Sequence, residues 1–369
     1  MGLSDDKNKF DVYGPKHMMA QTGIIEFDWD DKDHCRCIIA CLVKGTYVLE
    51  CDRTKKVEDK PDALAPAWWE SFHFQRHNVL EFNCECAFCT NSRRIFEGRG
   101  YVYGAVFEYA PPEGARRHPS APSYVVAFRG TMPRDPTICP DMRQNLCILL
   151  NKQHVCHRFR HAREKVGQLL SSISIPNNGG SSVVWLAGHS LGASIALDVG
   201  RHMMTNRDLN LPAFLFNPPH VSLAPAIGEA AKKDVYTVGY LGRYALGKVL
   251  TPQKDRMDEL FQKLKPWKPN LYAHERDIIC KGFIDYFELR EVMMKDRLPG
   301  VAKSAATLSF RDMGHSLFGK HKERPHLLPS AVLWKNQSKD GNAHELRQWW
   351  QSPEGPKRLV LIHNLYTWP

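Results

Sequence analysis

Residues 184–194 read VWLAGHSLGAS. An apolar, β-branched and aromatic run at 183–187 stops at Gly188. Ser190 follows after His189, and Leu191 and Gly192 come next, ahead of the small residues Ala193-Ser194-Ile195-Ala196-Leu197. The first run has the composition of a buried strand and the last that of a helix. The G-x-S-x-G pattern at their junction predicts a sharp strand-to-helix turn, because a side chain at Gly188 or Gly192 would collide with the neighbouring strand or helix. Such a turn holds Ser190 in a strained conformation with its hydroxyl pushed outward. The helix that starts behind it points free N–H groups at any negative charge developing there. A nucleophilic serine needs this placement.

Working outward, the flanking segments repeat the alternation. Residues 101–109 (YVYGAVFEY) and 123–128 (SYVVAF) read as a strand pair, separated by a loop with four prolines at 110–122. Helical spacing of Val155, Phe159, Ala162, Val166, Leu169 and Leu170 predicts a helix over 152–173. After the serine turn come a helix over 191–204 and a buried strand, AFLFN (213–217), halted by Pro218-Pro219. Strand, helix, strand, helix, strand predicts an α/β fold with a central, mostly parallel sheet covered by helices on both faces. Sites in such sheets lie at the carboxyl ends of the strands, where Ser190 falls. A late strand is expected at 327–334 (LLPSAVLW) and another at 358–362 (RLVLI). Residues 1–97 give mixed signals: a polar loop at 52–62, and an apolar cluster of Trp68, Trp69, Phe72 and Phe74 that reads as core packing. The expected organisation is an N-terminal extension (1–97) packed on a core domain (98–369), with a helical, lid-like insertion at about 220–322.

The chain has 369 residues, 43% hydrophobic, enough for a sizeable core. There is no run of about 18 apolar residues and no apolar leader in MGLSDDKNKF, so a cytoplasmic setting is expected. The 11 cysteines are read as reduced thiols. Cys84, Cys86 and Cys89, with Cys35 and Cys37 upstream, lack the paired spacing of a zinc site, and no metal is expected. Net charge is +10. The segment 232–268 holds nine Lys or Arg against four Asp or Glu, interleaved with Tyr240, Tyr244, Phe261, Leu264 and Trp267. It reads as a solvated helical face beside the core. The other reading is peripheral contact with an anionic membrane surface. No nucleic-acid motif accompanies it.

A serine hydroxyl needs a base and a group that orients the base. With the chain order serine, acid, histidine, the acid is assigned to Asp277 in LYAHERDIIC, ahead of Asp255, Asp258 and Asp285. The base is assigned to His344, which follows a late strand and a glycine-containing loop. His363 is the second choice, and His315, His321 and His326 precede or begin that strand. The oxyanion donors are expected to be the backbone N–H of Leu191 and the N–H and hydroxyl of Thr131, where SYVVAF runs into Arg129-Gly130-Thr131.

VVAFRGT (125–131), LAGHSLGA (186–193), FNPP (216–219) and the later Asp and His resemble the class 3 lipase family of fungal-lipase-like α/β hydrolases. The likeness is closer to a plant branch often labelled GDSL esterase/lipase. It is carried by APAWWESFHF, FRGT, AGHSLGA, FNPP, His315-Ser316-Leu317, HLLPSA and AHELRQWW, over most of the chain from about residue 10. The chain has no G-D-S-L box; its serine sits in G-H-S-L-G. The resemblance implies an α/β-hydrolase fold, Ser190, Asp277 and His344 as a triad, Thr131 at the oxyanion hole, hydrolysis of acyl esters, and no cofactor. The segment after FRGT, MPRDPTICPDMRQNL, lacks the aromatic lid anchor usual in class 3 lipases, so ester hydrolysis is favoured over interfacial lipolysis. The competing expectation is a lipase-like scaffold used for binding or signalling with little turnover.

Overall fold

The structure, a computed structural model, describes residues 6–20, 25–82, 101–132, 157–173, 183–220, 251–295, 328–339, 341–351 and 360–367. In chain order the main elements are helix α1 (Lys32–Lys55), strands β1 (Phe74–Phe82), β2 (Tyr101–Tyr109) and β3 (Tyr124–Phe128), and helix α2 (His157–Ser172). Strand β4 (Val184–His189), helix α3 (Leu191–Arg207), strand β5 (Ala213–Phe216) and helix α4 (Thr251–Leu264) follow. The chain then forms β6 (Asn270–His274), α5 (Lys281–Lys295), β7 (Ala331–Asn336) and β8 (Leu361–Tyr366). The eight strands form one sheet in sequence order. Pairing is parallel from β3 through β7 and antiparallel at both edges, β1–β2–β3 and β7–β8. The protein is therefore an α/β protein with a mixed, mostly parallel sheet.

Alternation of side chains across each strand sorts the apolar residues into two cores, one on each face. On β4, Val184 and Leu186 join a core with α2, α3, α4 and α5, while Trp185 and Ala187 face the opposite core. That second core is built on α1, with Ile38, Ile39, Leu42 and Val43 fully buried, and on Trp68, Trp69, Trp349 and Trp350. Trp68, Trp69, Phe72 and Phe74 are thus core residues, as their clustering in the sequence suggested.

Several boundaries differ from the sequence expectation. Helix α1 runs through Lys55, into the stretch 52–62 read as a loop, and ends where Lys56 takes a left-handed conformation (φ 59°). It starts at an Asp31 N-cap whose carboxylate accepts from the amides of Asp33 and His34. The helix is apolar on most sides because it lies between the sheet and the Leu346–Trp350 turn, so it shows little amphipathic period. Helix α3 continues past 204 to Arg207. Strand β7 begins at Ala331 rather than 327, after Pro329, which has no ladder amide. Strand β8 is displaced to Leu361–Tyr366. Within 220–322, read as an insertion, β6 is an interior strand, so that part of the stretch belongs to the sheet.

Among the described part of 232–268, Phe261, Leu264 and Trp267 are buried in the core, while Lys263 is exposed and pairs with Glu259 at 3.1 Å. Phe261 and Trp267 thus pack inward. Cys35 and Cys37 are buried thiols on α1, pushed up by burial to about 12 and about 11. Cys84, Cys86, Cys89, Tyr240, Tyr244, His315, His321 and His326 lie outside the described residues. Among the described residues no helix is long and apolar enough to cross a membrane.

Candidate active site

Five successive parallel strands deliver the site at their carboxyl ends. Gly130 and Thr131 follow β3, Ser190 follows β4, Asn217 follows β5, Asp277 follows β6 and His344 follows β7. Gly130, Thr131, Ser190, Asn217 and Asp277 lie within three residues of their strand ends, and His344 returns to them on the longer loop after β7.

Ser190 has φ 54° and ψ −124°, a conformation that L residues seldom adopt. Its amide donates to the Phe216 carbonyl at 2.9 Å, and its carbonyl accepts from Ala193 at the start of α3. The turn is possible only with its two glycines. A Cβ at Gly188 would lie 2.3 Å from the Gly192 carbonyl oxygen, and one at Gly192 would lie 2.2 Å from the Phe128 carbonyl oxygen. Both obstacles are backbone and cannot rotate away. Gly192→Ala is expected to cost about 3 kcal/mol of stability, the upper end of what overpacking costs, because the obstacle is backbone. Urea unfolding would measure this, and an unchanged midpoint would refute the packing account of the turn.

The Ser190 hydroxyl oxygen is 3.0 Å from His344 Nε2, and His344 Nδ1 is 2.7 Å from Asp277 Oδ2. The Asp277 side chain is 2% exposed and that of His344 is 17% exposed. Burial acts to raise the Asp277 pKa, but the hydrogen bond and charge of His344, the Asn217 amide and the Ile279 amide outweigh it and hold the carboxyl below its usual range. An ionised Asp277 accepts the Nδ1–H of His344, which leaves Nε2 as the acceptor for the serine proton. The three residues nominated in the sequence therefore touch in the order serine, histidine, aspartate. His363 is on the edge strand β8, stacked against Trp334 with ring centroids 4.4 Å apart.

Leu191 is the first residue of α3, so its amide has no acceptor within the helix. Thr131 is exposed and lines, with Ser190 and His344, a cavity of about 230 Å³. Tyr13, Tyr47, Leu346 and Trp350 give the cavity apolar walls, and Lys44, Glu345 and Arg347 add charge. Burial pushes the Lys44 ammonium down to about 8. Tyr13 donates to Glu345 at 2.7 Å, and Arg347 lies 3.8 Å above the Tyr13 ring.

Two further side chains hold the triad in place, and only one of them, Asn217, carried no recognisable signal in the sequence. Asn217, read only as the end of a strand before Pro218-Pro219, is fully buried. Its amide donates to Asp277 Oδ2 at 2.7 Å and to the Ala343 carbonyl at 2.9 Å, and its oxygen accepts the Trp349 indole N–H at 2.6 Å. It has φ 47°, which asparagine tolerates better than most residues. One side chain thus fixes both the acid and the residue before the base. Asn217→Ala is expected to lower stability by about 2 kcal/mol, because the buried Trp349 indole N–H loses its acceptor and the Asp277 carboxylate loses one of its donors; thermal unfolding would check this. The second contributor is His189, whose ring is buried beside His344 with centroids 5.2 Å apart. Burial first, and then the neighbouring imidazole, push its pKa down to about 3, so it stays neutral. The G-x-S-x-G pattern placed His189 in the nucleophile turn, but not the contacts that its ring makes there.

A strained serine between two obligatory glycines, hydrogen-bonded to a histidine that a buried carboxylate orients, is the arrangement in which a hydroxyl can be made nucleophilic. The chain belongs to the family of plant proteins named GDSL esterase/lipase. It is 31% identical over 368 residues to the Arabidopsis thaliana protein named GDSL esterase/lipase At4g10955, a match that covers 95% of this chain and 96% of the relative. No family model matches the chain, and no solved structure matches it.

Proposed function

We propose that this protein is a serine hydrolase with the α/β-hydrolase fold, akin to class 3 lipases, that cleaves carboxylic esters of acyl lipids. The reading rests on one observation: the Ser190 hydroxyl, at a strand-to-helix turn, is 3.0 Å from His344 Nε2, while Asp277 holds the other ring nitrogen at 2.7 Å. The esterase/lipase name of the relative is in keeping with it. In this reading residues 98–369 hold the hydrolase machinery, and residues 1–97 add α1 and β1 to it.

The Ser190 oxygen attacks the ester carbonyl carbon as its proton passes to His344 Nε2. Asp277 stabilises the resulting imidazolium and keeps it oriented. The carbonyl oxygen becomes an oxyanion and accepts from the Leu191 amide and from Thr131, each donor worth about 3 kcal/mol to the transition state. The bond to the alcohol oxygen then breaks, and His344 returns the proton to that oxygen. Water attacks the acyl-serine by the same route in reverse, giving the carboxylic acid and restoring the hydroxyl. The apolar walls of Tyr13, Tyr47, Leu346 and Trp350 suit an acyl chain.

A fluorophosphonate probe tests the reading, because it reacts with serines activated in this way. The expected result is a single adduct on Ser190, found by mass spectrometry and lost in Ser190→Ala. Absence of labelling in the wild-type protein would favour the non-catalytic scaffold.

A further inference from the structure

We infer that Tyr47, on helix α1, is a positioning residue for this site: its hydroxyl ties the oxyanion loop after β3 to the nucleophile turn, and through His189 to the backbone of the base. The inference rests on the esterase reading. Tyr47 comes from the N-terminal part of the chain, away from the five loops that deliver the reacting groups. Its hydroxyl is 2.6 Å from the Gly130 amide nitrogen and 2.8 Å from His189 Nδ1. The other ring nitrogen of His189, Nε2, is 3.0 Å from the carbonyl oxygen of His344.

Hydrogen-bond chemistry allows one proton arrangement across these contacts. A carbonyl oxygen only accepts, so His189 Nε2 carries the proton and donates. In a neutral ring Nδ1 is then bare and accepts, so the Tyr47 O–H donates to it. The Gly130 N–H donates to the remaining face of the Tyr47 oxygen. Burial of His189 keeps the ring neutral, with His344 and Asp277 the charged or titratable groups that act on it. The relay therefore runs Gly130 N–H to Tyr47 O–H to His189, and His189 N–H to the His344 carbonyl. It joins residues 83, 142 and 155 positions apart in the chain.

The relay bears on three parts of the reaction. Gly130 immediately precedes Thr131, and its amide is turned inward to Tyr47, which leaves Thr131 to face the cavity. His189 immediately precedes Ser190. His344 is held at its ring by Asp277 and at its own carbonyl by His189. Packing at this junction leaves little slack: a Cβ on Gly130 would lie 2.6 Å from the Tyr47 oxygen and 3.0 Å from the Ser190 Cβ.

Tyr47→Phe removes only the hydroxyl and keeps the ring that packs in the wall. With an ester substrate that the wild type turns over in a Ser190-dependent way, kcat is expected to fall at least about tenfold and KM to stay within about twofold, because the loss is of alignment rather than of substrate contacts. A fall in kcat of less than about tenfold, or a rise in KM with kcat unchanged, overturns the inference. A second measurement needs no folded variant. In wild-type protein labelled with 15N-histidine at pH 5.5, where an ordinary imidazole is mostly cationic, His189 should show a protonated Nε2 and a bare Nδ1. A doubly protonated ring, or the opposite tautomer, overturns the relay. If the wild type shows no Ser190-dependent turnover, the esterase reading fails, and the NMR result alone judges the relay.

Discussion

Ser190→Ala is expected to lower kcat for ester hydrolysis by about a millionfold, the size of loss seen when a nucleophile acting with its base is removed. No other hydroxyl in the described site stands against His344: its ring nitrogens contact Ser190 and Asp277. The residual rate would come from binding and from the Leu191 and Thr131 donors. A second substitution separates chemistry from strain. Ser190 pays for its placement with a positive φ of 54°, a conformation that costs of order 1–3 kcal/mol in a residue with a side chain. Ser190→Gly should lose activity as fully as Ser190→Ala yet be more stable than it. The gain, reduced by the greater freedom of glycine in the unfolded chain, should be about 1 kcal/mol, or roughly 1 °C in Tm for a chain of this length. Parallel kinetics and calorimetry on both variants would check this. A glycine variant less stable than the alanine variant would mean that the turn stores no strain.

Asp277→Asn should lower kcat by roughly 10³- to 10⁴-fold. Asp277 Oδ2 accepts from both His344 Nδ1 and the Asn217 amide, while Oδ1 accepts from the Ile279 amide. A side-chain amide has one oxygen. If that oxygen takes the Oδ2 position, the new NH2 opposes the Ile279 N–H. In the other orientation it opposes the Asn217 amide and forces His344 into the tautomer whose Nε2 cannot accept the serine proton. Either choice leaves buried donors unmatched, at about 1–3 kcal/mol of stability, and neither supplies the charge that stabilises an imidazolium. The pH dependence carries the same signature. The Asp277 pKa is held below its unfolded value, so its stabilising contribution is fully present above about pH 4 and is lost as pH falls through the folded pKa. Melting curves between pH 2 and 6 should decline less steeply for Asp277→Asn than for the wild type. An equal slope would show that Asp277 does not contribute to acid unfolding.

Sequence patterns located elements more sharply than their ends. The strand pair at 101–109 and 124–128 and the strand–turn–helix around Ser190 were legible because a period of two, a run of apolar residues or a pair of glycines is complete within about ten residues. Helix α1 escaped because it is buried on most sides, which removes the amphipathic stripe by which a helix is read. Strand β1 escaped for the opposite reason. It is an edge strand, largely exposed, and His77 and Asn78 sit at an irregularity in its register.

Alone, the sequence determined the alternation of strands and helices, the placement of a serine between glycines at a strand end, and an aspartate and a histidine downstream in a workable order. Those features are set by steric and periodic demands that each segment meets by itself. Only the tertiary structure decided which groups surround them. Asn217 meets Asp277 across 60 residues and Trp349 across 132, and Tyr47 meets His189 across 142. An asparagine before two prolines or a tyrosine inside a buried helix has the same letters whether or not it reaches a partner. What selects the partner is the side-by-side register of parallel strands, which brings five strand ends from distant parts of the chain to one edge of the sheet.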